Sequence, residues 1–162
     1  MYDSRALANA ILDQSDLLGI GLTNLSLQKV AYFCHGWSLA VHGSGLSKQD
    51  FEAWQYGPVL QNLYREFKSY DRRPIDSRCM RLDPSTGNRS VVDPISDPSA
   101  LLIIQACVKF YGGLRAGTLV EMSHDPGGAW DACWREGEAI NPGMRIDNVS
   151  IRQHFLQKSR PF

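Results

Sequence analysis

Ser123, His124 and Asp125 are contiguous and carry the side-chain types of a Ser-His-Asp hydrolase, while Cys34 beside His35 sets a thiol next to a base. A nucleophile needs its base within hydrogen-bond reach and that base oriented by a third group, and three sequence neighbours seldom converge that way. Adjacent helical residues point about 100° apart, and Cys34 falls on an apolar helical face where a small hydrophobe is wanted. "SHDPGG" reads more simply as a helix end and a turn, with His124 at the helix C-terminus and Asp125 bonding local amides. A His- or Cys-dependent enzyme is the lesser alternative, and no catalytic residue is assigned.

Metal chemistry finds no pattern either. The four cysteines, Cys34, Cys79, Cys107 and Cys133, and the four histidines, His35, His42, His124 and His154, form no CxxC, CxxxH or HExxH unit. His35 and His42 would lie about 10.5 Å apart along a helix, too far to share one ion. Gly112-Gly113, Gly127-Gly128 and "GIG" at 19–21 precede no Lys-Ser/Thr pair, so no phosphate loop and no cofactor is expected.

The elements that must position these residues follow from periodicity. Residues 4–18 fit a first helix ended by Gly19 and Gly21. Thr23 or Asn24 can cap a long central helix that Gly43 stops. Its apolar face carries Leu27, Val30, Phe33, Cys34, Trp37, Ala40 and Val41, with Gln28, Tyr32, His35 and His42 opposite. Phe51 to Tyr56 reads as an extended connector. Pro58 suits the first position of a further helix, with Leu60, Leu63, Tyr64, Phe67 and Tyr70 as its apolar stripe. Gln61, Asn62, Arg65, Glu66, Lys68 and Ser69 make its polar side. A β-hairpin insertion fits about 76–93, with its turn at 83–88. Asp97 and Pro98 open a helix apolar on nearly every side, expected to be the most buried. Arg115 to Ser123, 129–137 ended by Gly137, and Asn148 to Gln157 capped by Asp147 complete a mainly α fold of about six helices in one domain, 1–162.

The whole chain sets limits. At 162 residues a core can bury about 70% of the unfolded surface. Seventeen basic and 17 acidic residues give zero net charge, so no nucleic-acid partner is expected. "ALLIIQACVKFY" is too short for a bilayer and is broken by Gln105 and Lys109, and the N-terminus lacks a signal-like apolar run. A cytoplasmic protein without membrane partners is the expectation. Four Trp, six Tyr and six Phe, several beside Gly, Pro or Arg, favour a binding module over an enzyme.

"LQKVAYFCHGWSLAVHGSGL", "FEAWQYGPVLQNLYREFKSY", "YGGLRAGTLVEMSHDPGGAW" and "IRQHFLQ", in that order, resemble the Panacea domain, the SocA-like antitoxin module also found in phage-associated GepA-like proteins. The matching positions are Leu27, Gln28, Lys29, Tyr32 and Trp37, then Glu52, Ala53, Trp54, Tyr56, Gly57, Pro58, Tyr64 and Phe67, then His124 and Trp130. Ala129 stands where the family usually has Pro. The resemblance implies a helical antitoxin that neutralises a cognate protein toxin by contact, in some members by delivering it to an ATP-dependent protease. A phage or mobile-element protein that binds another host factor is the alternative. The partner-binding candidates are Trp54, Tyr56, Gln61, Arg65 and Lys68. Whether Trp54 and Tyr56 pack the core or grip a partner stays open at this level.

Overall fold

A computed structural model describes residues 1–136 and 144–162. Four longer helices carry the fold: α1 Ser4–Leu17, α2 Asn24–His42, α4 Pro98–Tyr111 and α7 Asn148–Leu156. The shorter helices are α3 Gln61–Glu66, α5 Ala116–Ser123 and α6 Ala129–Glu136, with a 3-10 turn at Lys68–Tyr70. The fold is mainly α, as expected. No helix among the described residues is long and apolar enough to cross a membrane.

Helix ends follow local chemistry. The side chains of Asp3, Thr23, Asp97 and Asp147 accept from backbone N–H groups in the first turns of α1, α2, α4 and α7. Gly43 closes α2 at φ +71°, a conformation costly for residues with a Cβ. The expected end of α6 at Gly137 lies outside the described residues.

Helix α2 is the hub, packed against α1, α3, α4, α5 and α7. It is buried on all sides from Ser26 to Leu39, which corrects the reading that set Gln28, Tyr32 and His35 on an outer face. A helix enclosed by other elements has no solvent face, and its polar side chains find tertiary partners instead. His35 shows how: its Nδ1 accepts from the Ser47 N–H at 3.1 Å, so Nε2 carries the proton and donates to Asn148 Oδ1 at 2.8 Å. His42 is exposed as expected, and so is Val41, which the periodicity sets on the apolar face.

Helix α4 is the reverse case. It buries Ala100, Ile103, Ile104, Cys107 and Val108 against α1 and α2, yet Leu102 and Phe110 are 65% and 41% exposed. The expectation that this would be the most buried helix fails: α2 is, and the outer face of α4 stays open at Leu102 and Phe110.

The segment expected as a connector is a strand. Strand β1, Phe51–Trp54, pairs antiparallel with β2, Gly57–Val59, setting Ala53 opposite Pro58. On its other side β1 pairs with β5, Arg145–Ile146, which sequence periodicity did not suggest. Pro58 therefore sits in a strand and α3 begins only at Gln61. Lacking an N–H, proline suits an edge strand as well as a first helical turn, and here the edge strand wins. The separate hairpin, β3 Met80–Leu82 and β4 Arg89–Val91, is antiparallel and falls where expected.

Candidate functional site

Gln28, Lys29, Trp54, Gly57, Pro58, Tyr64, His124 and Trp130 of the motif blocks come together at one junction, where the β1–β2 hairpin meets α2, α3, α5 and α6. Strand β2 is an edge strand, and its outer backbone groups need partners. Two consecutive α2 residues supply them. Gln28 Oε1 accepts from the Leu60 N–H at 2.8 Å, and Lys29 Nζ donates to the Pro58 carbonyl at 2.8 Å. Gln28 also donates to Asn24 Oδ1 at 3.4 Å. The Gln-Lys pair thus acts as the missing neighbouring strand.

Lys29 is fully buried, and burial pulls its amine down to about 7. Its fit depends on Gly57, at φ +94°, where a Cβ would lie 2.5 Å from Ser123 Oγ and 2.9 Å from Lys29 Nζ. Only glycine lets α2 and α5 close on the hairpin.

Aromatic packing fixes the hairpin's other side. Trp130 donates its indole N–H to the Trp54 carbonyl at 2.9 Å and stacks on His124 with centroids 3.7 Å apart. Trp134 stacks on Trp130 at 5.4 Å, an addition that the four-residue helical spacing of the two tryptophans could have signalled. Trp54 donates to Glu52 Oε2 at 2.8 Å and meets the Tyr64 ring edge-on at 5.0 Å.

The motif residues therefore divide by burial. Gln28, Lys29, Tyr32, Trp37, Gly57 and Pro58 are inside. Tyr32 contacts Phe33, Phe51 and Phe155 edge-on, and burial raises its hydroxyl pKa. Trp37 donates to Tyr111 Oη at 2.9 Å. Trp54, Tyr64 and Gln61 are half-buried, and Tyr56, Arg65 and Lys68 are exposed, Tyr56 at 62%. Gln61 faces a polar cleft of about 290 Å³ with Lys48, Glu52 and Arg145. The exposed candidates lie on α3, its following turn and the hairpin tip.

Ser123, His124 and Asp125 form no hydrogen-bonded triad. Ser123 Oγ donates to the Val120 carbonyl at 2.8 Å, and His124 follows the last turn of α5 with burial, then the nearby Lys29, lowering its pKa. Asp125 does not use its carboxylate on local amides, as the turn chemistry suggested. It pairs with Lys158 and lies 3.4 Å from His154 Nε2. Burial pushes its carboxyl up, but Lys158 and His154 outweigh that and hold it below the usual range. The turn is thereby tied to the end of α7. Cys34 is fully buried with Cys107, which removes both from solvent chemistry. Among the described residues no group of three or more His, Cys, Asp or Glu side chains could hold a metal.

Comparison with known proteins agrees with the placement of these motifs. No solved structure matches the chain. It is 36% identical over 154 residues to antitoxin SocA of Caulobacter vibrioides (strain NA1000 / CB15N), covering 94% of this chain and 82% of that protein. The family model described as antitoxin SocA-like, Panacea domain, matches residues 27–131, a span that includes both halves of the α2–hairpin clamp and the His124–Trp130 stack. The chain belongs to the SocA-like Panacea-domain antitoxin family.

Proposed function

We propose that this protein is an antitoxin that neutralises a cognate protein toxin by direct binding, through the surface formed by the β1–β2 hairpin tip and α3. The observation that carries this reading is its similarity to antitoxin SocA along 94% of its length. The exposed part of the motif region supports the location. Tyr56 and Arg65 are types that anchor interfaces; Tyr56 stands at the tip of a hairpin already immobilised by Gln28, Lys29 and Trp130, and Arg65 on the α3 helix that follows it. Trp54 and Gln61 would line the same contact, and Lys68 would edge it.

The test is coexpression with the product of the neighbouring reading frame. That product should arrest growth alone and be silenced by this chain. A harmless product, or toxicity unchanged by the chain, overturns the reading. Tyr56→Ala and Arg65→Ala should each weaken toxin binding at least about tenfold with an unchanged melting temperature. Unchanged affinity would move the interface elsewhere.

Neutralisation can work by occlusion or by delivery to an ATP-dependent protease, as the family resemblance allows. The toxin's half-life separates the two. Delivery shortens it in the presence of this chain, and occlusion does not.

A further inference from the structure

The outer face of α4 has the composition of a core helix and the exposure of a surface one. Leu102 and Phe110, with Ala106 between them, line a groove of about 670 Å³ whose opposite wall is Pro161 and Phe162. That volume lies within the roughly 300–1,000 Å³ of built binding pockets. The groove is preformed. Phe162 sits edge-on to Trp37 at 5.9 Å, Trp37 is bonded to Tyr111 on α4, and Tyr111 stacks on Phe33 at 4.2 Å.

Its electrostatics are one-sided although the chain is neutral. From Pro98 to Val120, and again from Asn148 to Phe162, the sequence contains no Asp or Glu. Lys109 lines the groove, and Arg160 lies over the Phe162 ring with its guanidinium carbon 5.5 Å from the centroid. Among the described residues no Asp or Glu side chain lines the cavity, and Arg160 Nε donates to the main-chain oxygen of Phe162 at 2.8 Å.

Leu102 and Phe110 are eight residues apart, about 12 Å along α4, which matches the roughly 10.5 Å between the i and i+7 anchors of a helix laid alongside. We propose that the α4–tail groove docks an amphipathic helical segment of a protein partner, apolar on the buried side and acidic on its flanks. Apolar anchors would fill the space between Leu102 and Phe162, and flanking Glu or Asp would meet Lys109 and Arg160. The proposal does not depend on the toxin reading. Helix α4 packs on α1 and α2, whereas the hairpin packs on α2, α5 and α6.

The test uses the full chain and two synthetic helical peptides of about 18 residues with the same Leu/Phe stripe, one flanked by Glu and one by Lys. Fluorescence anisotropy should show the Glu peptide binding at least about tenfold more tightly. Lys109→Glu should remove that preference, and Leu102→Asp with Phe110→Asp should abolish binding while circular dichroism stays unchanged, since both side chains are exposed. Equal binding of the two peptides, binding of neither, or binding that survives the double Asp variant overturns the proposal. So does self-association of the parent that Phe110→Asp removes, which would make the occupant a second copy. Retention on anionic vesicles with no binding of the Glu peptide would make it a lipid surface and equally overturn the proposal.

Discussion

A lysine out of water with no carboxylate pairing it among the described residues is the sharpest chemical feature of this molecule. In the fold the Lys29 amine holds its proton only up to about pH 7, against about 10.5 in the unfolded chain. Between those values the unfolded chain binds more protons, so stability rises with pH across that window, and below it the penalty is present in full. The difference is on the order of 5 kcal/mol. Lys29→Met keeps the length and removes the proton, so it should flatten the rise in urea midpoint between about pH 7 and 10 and stabilise the protein below neutrality. A rise that persists in Lys29→Met would place the titration elsewhere. Gly57 is the second residue-scale constraint. Gly57→Ala combines a positive φ with a clash against Ser123 and should cost about 2–3 kcal/mol. Gly87→Ala, at φ +72° with nothing within 4 Å, bears only the backbone strain and should cost about 1 kcal/mol. Thermal denaturation of both variants checks the order, and an equal loss would mean that the close approach at Gly57 carries no weight.

At the scale of elements, the α2–α7 contact rests partly on the His35–Asn148 bond. Asn148→Ala strands the buried His35 N–H and should lower stability by about 1–3 kcal/mol by urea denaturation. A neutral result would show that the bond is replaced by water. Burial, opposed by the Asn148 bond, leaves His35 with a lowered pKa, so the unfolded chain takes up the proton first and stability falls as pH drops below the ordinary 6.5. How much of this was legible varies with how local the cause is. Caps at Asp97 and Asp147, the stop at Gly43 and the β3–β4 turn depend on a few neighbouring residues and stand as read, and of the two caps offered for α2 the structure uses Thr23. The core role of Leu27, Phe33, Cys34 and Trp37 followed from period alone. The roles of Gln28, Tyr32 and His35 did not, because a polar residue in an enclosed helix looks like a solvent-facing one until its distant partner is known. Pro58 was ambiguous for the same reason: its missing N–H suits two elements, and the choice is made by a strand partner and by Lys29, 29 residues earlier. The motif block that resembled the family was readable as a pattern, but its meaning as a clamp needed the hairpin to be seen against α2.

On the scale of the whole molecule, one core joins all the longer helices, and the two proposed contact faces lie on different sets of elements around it. The toxin-facing candidates are mixed aromatic and basic, and the α4 groove is apolar with a basic rim, so the zero net charge conceals an uneven distribution. Sealing β2 with Gln28 and Lys29 has a further consequence. An uncovered strand edge is a template on which other chains can pair and fibrils can nucleate. Here two helical side chains occupy the positions that a recruited strand would take, so this side of the sheet cannot seed assembly while α2 is folded. Protection from aggregation is therefore coupled to the same buried lysine that makes the fold sensitive to pH.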